Sequence, residues 1–95
     1  MNVKLIRMWS GEDVIADLVE DEGNYITIEN PIVAVPSPQQ GQIAFAPWSP
    51  LLQKDELEVT RKYIVYIADT QDEVVEQYKD MFAPVAIPPK KKLIL

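Results

Sequence analysis

The chain has 95 residues, 47% of them hydrophobic, with nine basic and fifteen acidic side chains and a net charge of −6. That length makes one domain that hides roughly 60–65% of its unfolded surface, and no apolar run is long enough for a membrane span. The lack of both Cys and His excludes disulfides, thiolate chemistry, Ser-His-Asp and Cys-His catalysis and imidazole acid–base work, and the acidic balance argues against a broad phosphate-binding surface.

Three short apolar runs, VKLIRM, DVIADLVE and YITIENPIVAV, open the chain, joined by Ser10-Gly11-Glu12 and Asp21-Glu22-Gly23-Asn24. Runs bounded by Gly-containing polar turns predict an antiparallel meander. The opening MNVKLIRMWSGED lacks the apolar stretch and cleavage site of a secretory signal, so the cytoplasm is the expected location. The first strand is expected over residues 3–9. Leu5 and Ile6 fall on opposite faces, so both faces need cover, inside a barrel or against a neighbouring subunit. The second strand, 13–20, sets Val14, Ala16 and Leu18 against Ile15 and Val19. In the third, 25–29, Ile26 and Ile28 alternate with Tyr25 and Thr27. Asn30-Pro31 interrupts this run before 32–35 resumes it. Proline cannot donate to a ladder, so a bend, bulge or edge position is expected there. A strand kinked in its middle suits a small, highly curved barrel.

Residues 36–41, PSPQQG, read as a loop or hairpin tip. A return strand over 42–48 places Ile43 and Phe45 on one face and ends at Pro47 and Pro50. A polar excursion over 49–56 follows, residues 57–60 resume the strand, Arg61-Lys62 turns, and 63–68 is the fifth strand. The pattern changes at Thr70-Gln71-Asp72-Glu73, a capping box with Thr70 as N-cap. Val74, Tyr78, Met81 and Phe82 share one helical stripe. Asp72, Glu73 and Glu76 lie near the start and Lys79 near the end, as the helix dipole prefers, and Pro84 stops the helix. The expected organisation is a barrel over 1–69, a helix over 70–82 and an extended tail over 83–95.

Five short strands with a Gly turn between the first two define a mainly β, SH3-like barrel with a C-terminal α-helix. Within that class the chain resembles the Sm-like (LSm) family, and most of all the divergent Sm-like proteins of tailed phages. The resemblance spans residues 3–68 and is carried by Gly11, by the spacing into DVIADLVEDEGNYITI and by LEVTRKYIVYI. The first stretch is similar to the family's first motif, a strand-one Gly, an apolar strand, an Asp-x-x-Met-Asn turn and another apolar strand. The second is similar to an apolar strand, Arg-Gly, and a short strand ending in Val-Tyr-Ile. The resemblance implies a ring closed by pairing the fourth strand of one subunit with the fifth of the next, a homo-oligomer of about five to seven subunits. In RNA-binding members the Asn of the first motif and the Arg of the second hold a base on the inner rim. Here Asn24-Tyr25 stands in place of Met-Asn and Thr60-Arg61 in place of Arg-Gly. The corresponding single-stranded RNA site is Asn24, Tyr25, Arg61 and Lys62, with Tyr25 to stack a base and Arg61-Lys62 to meet phosphate. The other reading packs Tyr25 on the barrel and leaves Arg61-Lys62 as a solvated turn.

Assembly also has a reason in the residues themselves. Open sheet edges must be paired, covered or charged, and QIAFAPW and YIVYI are apolar on both faces. A subunit interface is therefore expected at Ile43, Phe45, Trp48, Ile64 and Tyr66. The alternative is a monomer whose helix and tail cover both edges. Trp9 and Trp48 read as interface anchors or as core. Glu12, Asp13 and Asp17, or Asp21 with Glu22, match no EF-hand spacing, so neither a metal nor another cofactor is expected. Ser10, Ser37 and Ser49 lack a base, which leaves a carboxylate-metal hydrolase as the remaining enzyme class. The tail PPKKKLIL reads as a disordered end, a strand docked on a neighbour or a basic peptide for an anionic partner. The expected function is a non-enzymatic, ring-forming platform for single-stranded RNA or a protein client, without a membrane role. The alternative is an SH3-like interaction or structural module that binds no RNA.

Overall fold

The computed structural model describes residues 1–36 and 43–82. Of the expected hairpin tip only Pro36 is described, as the end of a strand; the rest of the tip and the tail lie outside, as do the side chains of Pro36 and Ile43. The protein is mainly β, with one C-terminal helix. In chain order the strands are β1 (Val3–Met8), β2 (Asp13–Asp21), β3 (Tyr25–Pro36), β4 (Ile43–Pro47), β5 (Glu56–Thr60) and β6 (Ile64–Ala68). A one-turn 3-10 helix, Arg61–Tyr63, links β5 to β6, and helix α1 spans Asp72–Phe82. All pairings are antiparallel: β4-β3-β2-β1-β6, with β5 also on β3.

Two glycines make the meander. Gly11 (φ 96°) donates its N–H to Met8 O at 2.9 Å while Met8 N–H bonds Glu12 O, so the β1–β2 turn needs its left-handed residue there. Gly23 (φ 91°) opens the two-residue β2–β3 turn, with Glu22 N–H bonded to Tyr25 O and Gly23 N–H to the Asp21 side chain.

The strand count is six where the sequence suggests five. The excursion between Pro47 and Glu56 leaves the sheet altogether and divides the fourth strand in two. β3 is long enough to serve both halves, pairing residues 25–29 with β5 and 32–36 with β4. The excursion is pinned at the bend of β3: Trp48 N–H donates to Pro31 O and Asn30 N–H to Asp55 O, each at 2.9 Å.

That bend also switches faces. Asn30 sits at φ 50° and Pro31 has no N–H; across them the β2–β3 register steps from Ile15↔Ile32 to Asp17↔Glu29. Two residues of β3 thus oppose one of β2, a bulge that moves the following side chains to the opposite face. Ile26 and Ile28 therefore join one core with Ile6, Met8, Val14, Ala16 and Val59. Ile32, an even number of residues along the same strand, joins the other with Val3, Ile15 and Tyr78.

The first core also takes Leu57 from β5, Trp48 and, from β6, Ile64 and Ile67. Contributions from both ends of the strand order show that the sheet curls around it. The second core is roofed by α1 through Val74, Val75, Tyr78 and Phe82. The cover for the outer faces of β1 and β2 is thus the chain's own helix. Val75 takes the place expected for Met81, which stays exposed. The helix starts one residue later than the capping box suggests. Val75 N–H bonds Gln71 O, which makes Gln71 the N-cap rather than Thr70.

Candidate functional site

Two surfaces carry the exposed chemistry. The first is the end of the sheet where the β2–β3 turn meets the 3-10 turn. There the fold brings together all four residues of the expected RNA site. Arg61 N–H donates to Asn24 O at 3.0 Å, Tyr25 pairs with Thr60 across β3 and β5, and Lys62 N–H faces Thr60 Oγ1 at 3.5 Å. Asn24, Arg61 and Lys62 are exposed and Tyr25 is half-buried.

The local electrostatics are acidic. The Arg61 guanidinium is tied to the Asp21 carboxylate in an ion pair. The Gly23 N–H and that guanidinium hold Asp21 below its ordinary value, so the carboxylate stays charged beside Arg61. Burial pushes the Tyr25 phenol up, and Glu22, Glu58 and Glu20 push it further. A phosphate entering here meets one cation already paired, one exposed lysine and at least four carboxylates.

The second surface is the pair of sheet edges. Among the described residues β6 pairs only with β1, and β4 and β5 only with β3. Of the expected interface residues, Phe45 packs beneath α1, while Trp48 and Ile64 pack on the first core. Tyr66 is 43% exposed and its neighbour Val65 48%. β6 therefore presents an apolar outer face on an open edge.

Between β5 and the β1–β2 turn lies a groove of about 430 Å³ lined by Trp9, Trp48, Leu57 and Tyr63, with Glu58 on its wall. Trp48 Nε1 donates to Glu12 Oε2 at 3.1 Å, which fixes the indole at the rim. Tyr63 and Leu57 are the members that sequence reasoning misses. The four residues come from separate segments, so no local spacing announces them.

Four of the five carboxylates considered as metal ligands are engaged otherwise. Asp13 forms a two-point pair with Arg7 at 2.6 and 3.1 Å, Asp17 accepts from Asn2 N–H, Asp21 holds Arg61, and Glu12 accepts from Ser10 and Trp48. No cluster of metal-ligating side chains occurs among the described residues, and no helix among them is long and apolar enough to cross a membrane. Neither a family model nor a curated protein matches the sequence.

Proposed function

We propose that this protein is a non-enzymatic, Sm-like barrel that assembles into a closed ring by strand pairing between subunits and serves as an assembly platform. The observation that carries this reading is the state of the edges. β4 and β6 end the strand order on opposite sides, and β6 turns Val65 and Tyr66 to solvent. Pairing β4 of one copy with β6 of the next satisfies both rows of backbone groups and covers that apolar face. The Gly11 turn, the bent long strand, the curled core and the single turn before β6 support the Sm-like assignment.

A protein client fits the surface better than RNA. The turn that gathers Asn24, Tyr25, Arg61 and Lys62 pairs its arginine with Asp21 and is ringed by Glu20, Glu22 and Glu58. The aromatic groove also supports the second reading, an SH3-like interaction module that needs no ring. Light scattering behind size exclusion, with and without short U-rich and A-rich RNAs, separates these. A ring mass unaffected by RNA supports the platform. An RNA-dependent shift restores the turn as an RNA site. A 10.8 kDa particle removes the ring and leaves the interaction module.

A further inference from the structure

Trp9 and Tyr63 are 69% and 64% exposed, and both line the groove that Trp48 and Leu57 complete. Trp9 N–H donates to Tyr63 O at 2.8 Å, so the backbone itself holds these two aromatics side by side. Trp48 is held in turn by its bond to Glu12 Oε2. Three aromatic side chains around one groove offer π-faces that attract an ammonium or guanidinium group. Lysine and arginine also carry an aliphatic stem, which suits a groove that includes Leu57.

The charges point the same way. Glu58 lines the groove and Glu12 is bonded to its Trp48 rim. Arg61 and Lys62 stand in the turn between two lining residues, Thr60 and Tyr63, but neither lines the groove. The Arg61 guanidinium is already paired with Asp21, at the end of β2. The border thus holds two carboxylates against one uncompensated lysine. Over residues 1–82, fifteen acidic side chains outnumber six basic ones, and three of the six are committed to ion pairs. A field of that sign draws in a basic partner.

We propose that the groove of Trp9, Trp48, Leu57 and Tyr63 receives a lysine or arginine side chain of a basic protein client. The aromatic faces hold the cation and its stem, and Glu58 and Glu12 supply the counter-charge. The assignment rests on the reading of the client as a protein and stands whether or not the subunits form a ring.

Trp9 and Trp48 are the chain's only tryptophans, so their indole N–H signals in a nuclear magnetic resonance titration read this groove directly. The probe is the peptide Gly-Arg-Gly-Arg-Gly, with its neutral citrulline counterpart as control. The arginine peptide should move both indole signals and the citrulline peptide neither. Trp9→Ala and Tyr63→Ala change no charge, and each should weaken the arginine peptide roughly two- to fivefold. Glu58→Gln should weaken it and Lys62→Ala strengthen it, with far-UV circular dichroism checking that each variant is folded. Aromatic variants that bind as well as the wild type reduce the effect to general attraction by an acidic surface and overturn the proposal. Indole signals that respond to neither the peptide nor a short U-rich RNA also overturn it, yet leave the protein-client reading standing. A response to the RNA alone overturns both. Signals that move with protein concentration, without peptide, assign the groove to a second copy and overturn the proposal.

Discussion

Replacing Tyr78 with phenylalanine tests how the helix is fixed to the sheet. The Tyr78 side chain is fully buried, its ring 4.8 Å from that of Phe82. Its hydroxyl accepts the Asp17 N–H at 3.0 Å and donates toward Glu29 O at 2.7 Å, with Asn30 O at 3.0 Å. These are the backbone groups that the β2–β3 ladder abandons at the bulge, so the phenol completes the ladder from the helix. Phenylalanine keeps the ring and strips the Asp17 N–H of its partner. An unsatisfied buried donor costs about 1–3 kcal/mol. Taking about 2 kcal/mol, a domain of this size loses roughly 8–16 °C in Tm. A pH series sharpens the test. Burial pushes the phenol from 10.0 up to about 12, so the folded state holds this proton more tightly than the unfolded chain. The stabilisation is complete below pH 10 and is lost as the pH rises through 12; its size is roughly 2–3 kcal/mol. Urea unfolding of wild type and Tyr78→Phe should therefore differ near neutrality and converge above pH 12. A difference under about 0.5 kcal/mol at pH 7, within the range of an ordinary surface change, would refute the role of the hydroxyl.

Four further outcomes follow from the same structure. Tyr66→Asp places a charge on the exposed face of the β6 edge and, on the ring proposed above, should reduce the solution mass to that of a monomer with an unchanged circular dichroism spectrum. Asp21→Asn keeps an acceptor for Gly23 N–H and removes the counter-charge of Arg61. If the turn meets phosphate at all, filter binding should show tighter RNA association with a steeper salt dependence. Gly23→Ala forces a side chain into φ 91° with no atom nearby to obstruct it, so backbone strain alone should lower the unfolding free energy from urea titration by about 1–2 kcal/mol. On α1, Val75→Ala should cost about 1 kcal/mol through lost packing on the second core, whereas the exposed Met81→Ser should be nearly silent in the same assay.

The candidate site divides in the same way as the fold. Asn24 with Tyr25, and Arg61 with Lys62, are visible as two turn pairs. Their meeting depends on β3 and β5 pairing Tyr25 with Thr60 across a gap of more than thirty residues. Asp21 stands in the sequence only as a turn carboxylate. Its pairing with Arg61, which decides the sign of the potential there, is a product of that same register. The groove is less legible still, because Trp9, Trp48, Leu57 and Tyr63 share no periodicity and meet only when the ends of the sheet curl together.

By itself the sequence determined the elements whose physics is local. Gly11 and Gly23 supply the positive φ that two hairpin turns require, the short apolar runs between polar turns mark the first three strands, and the spacing of Val74, Tyr78 and Phe82 marks the helix. The tertiary structure decided what depends on remote partners. The bulge at Asn30-Pro31, read against β2, sends Ile28 and Ile32 into different cores. The helix, through Val75 and the Tyr78 hydroxyl, covers the outer face and completes a broken ladder. Excursion 48–55, tied to the bend of β3, turns one expected strand into two. Each of these outcomes is set by contacts between residues far apart in the chain. Local propensity favours strand or helix equally well whichever partner such a residue finds, so only the folded arrangement selects among them.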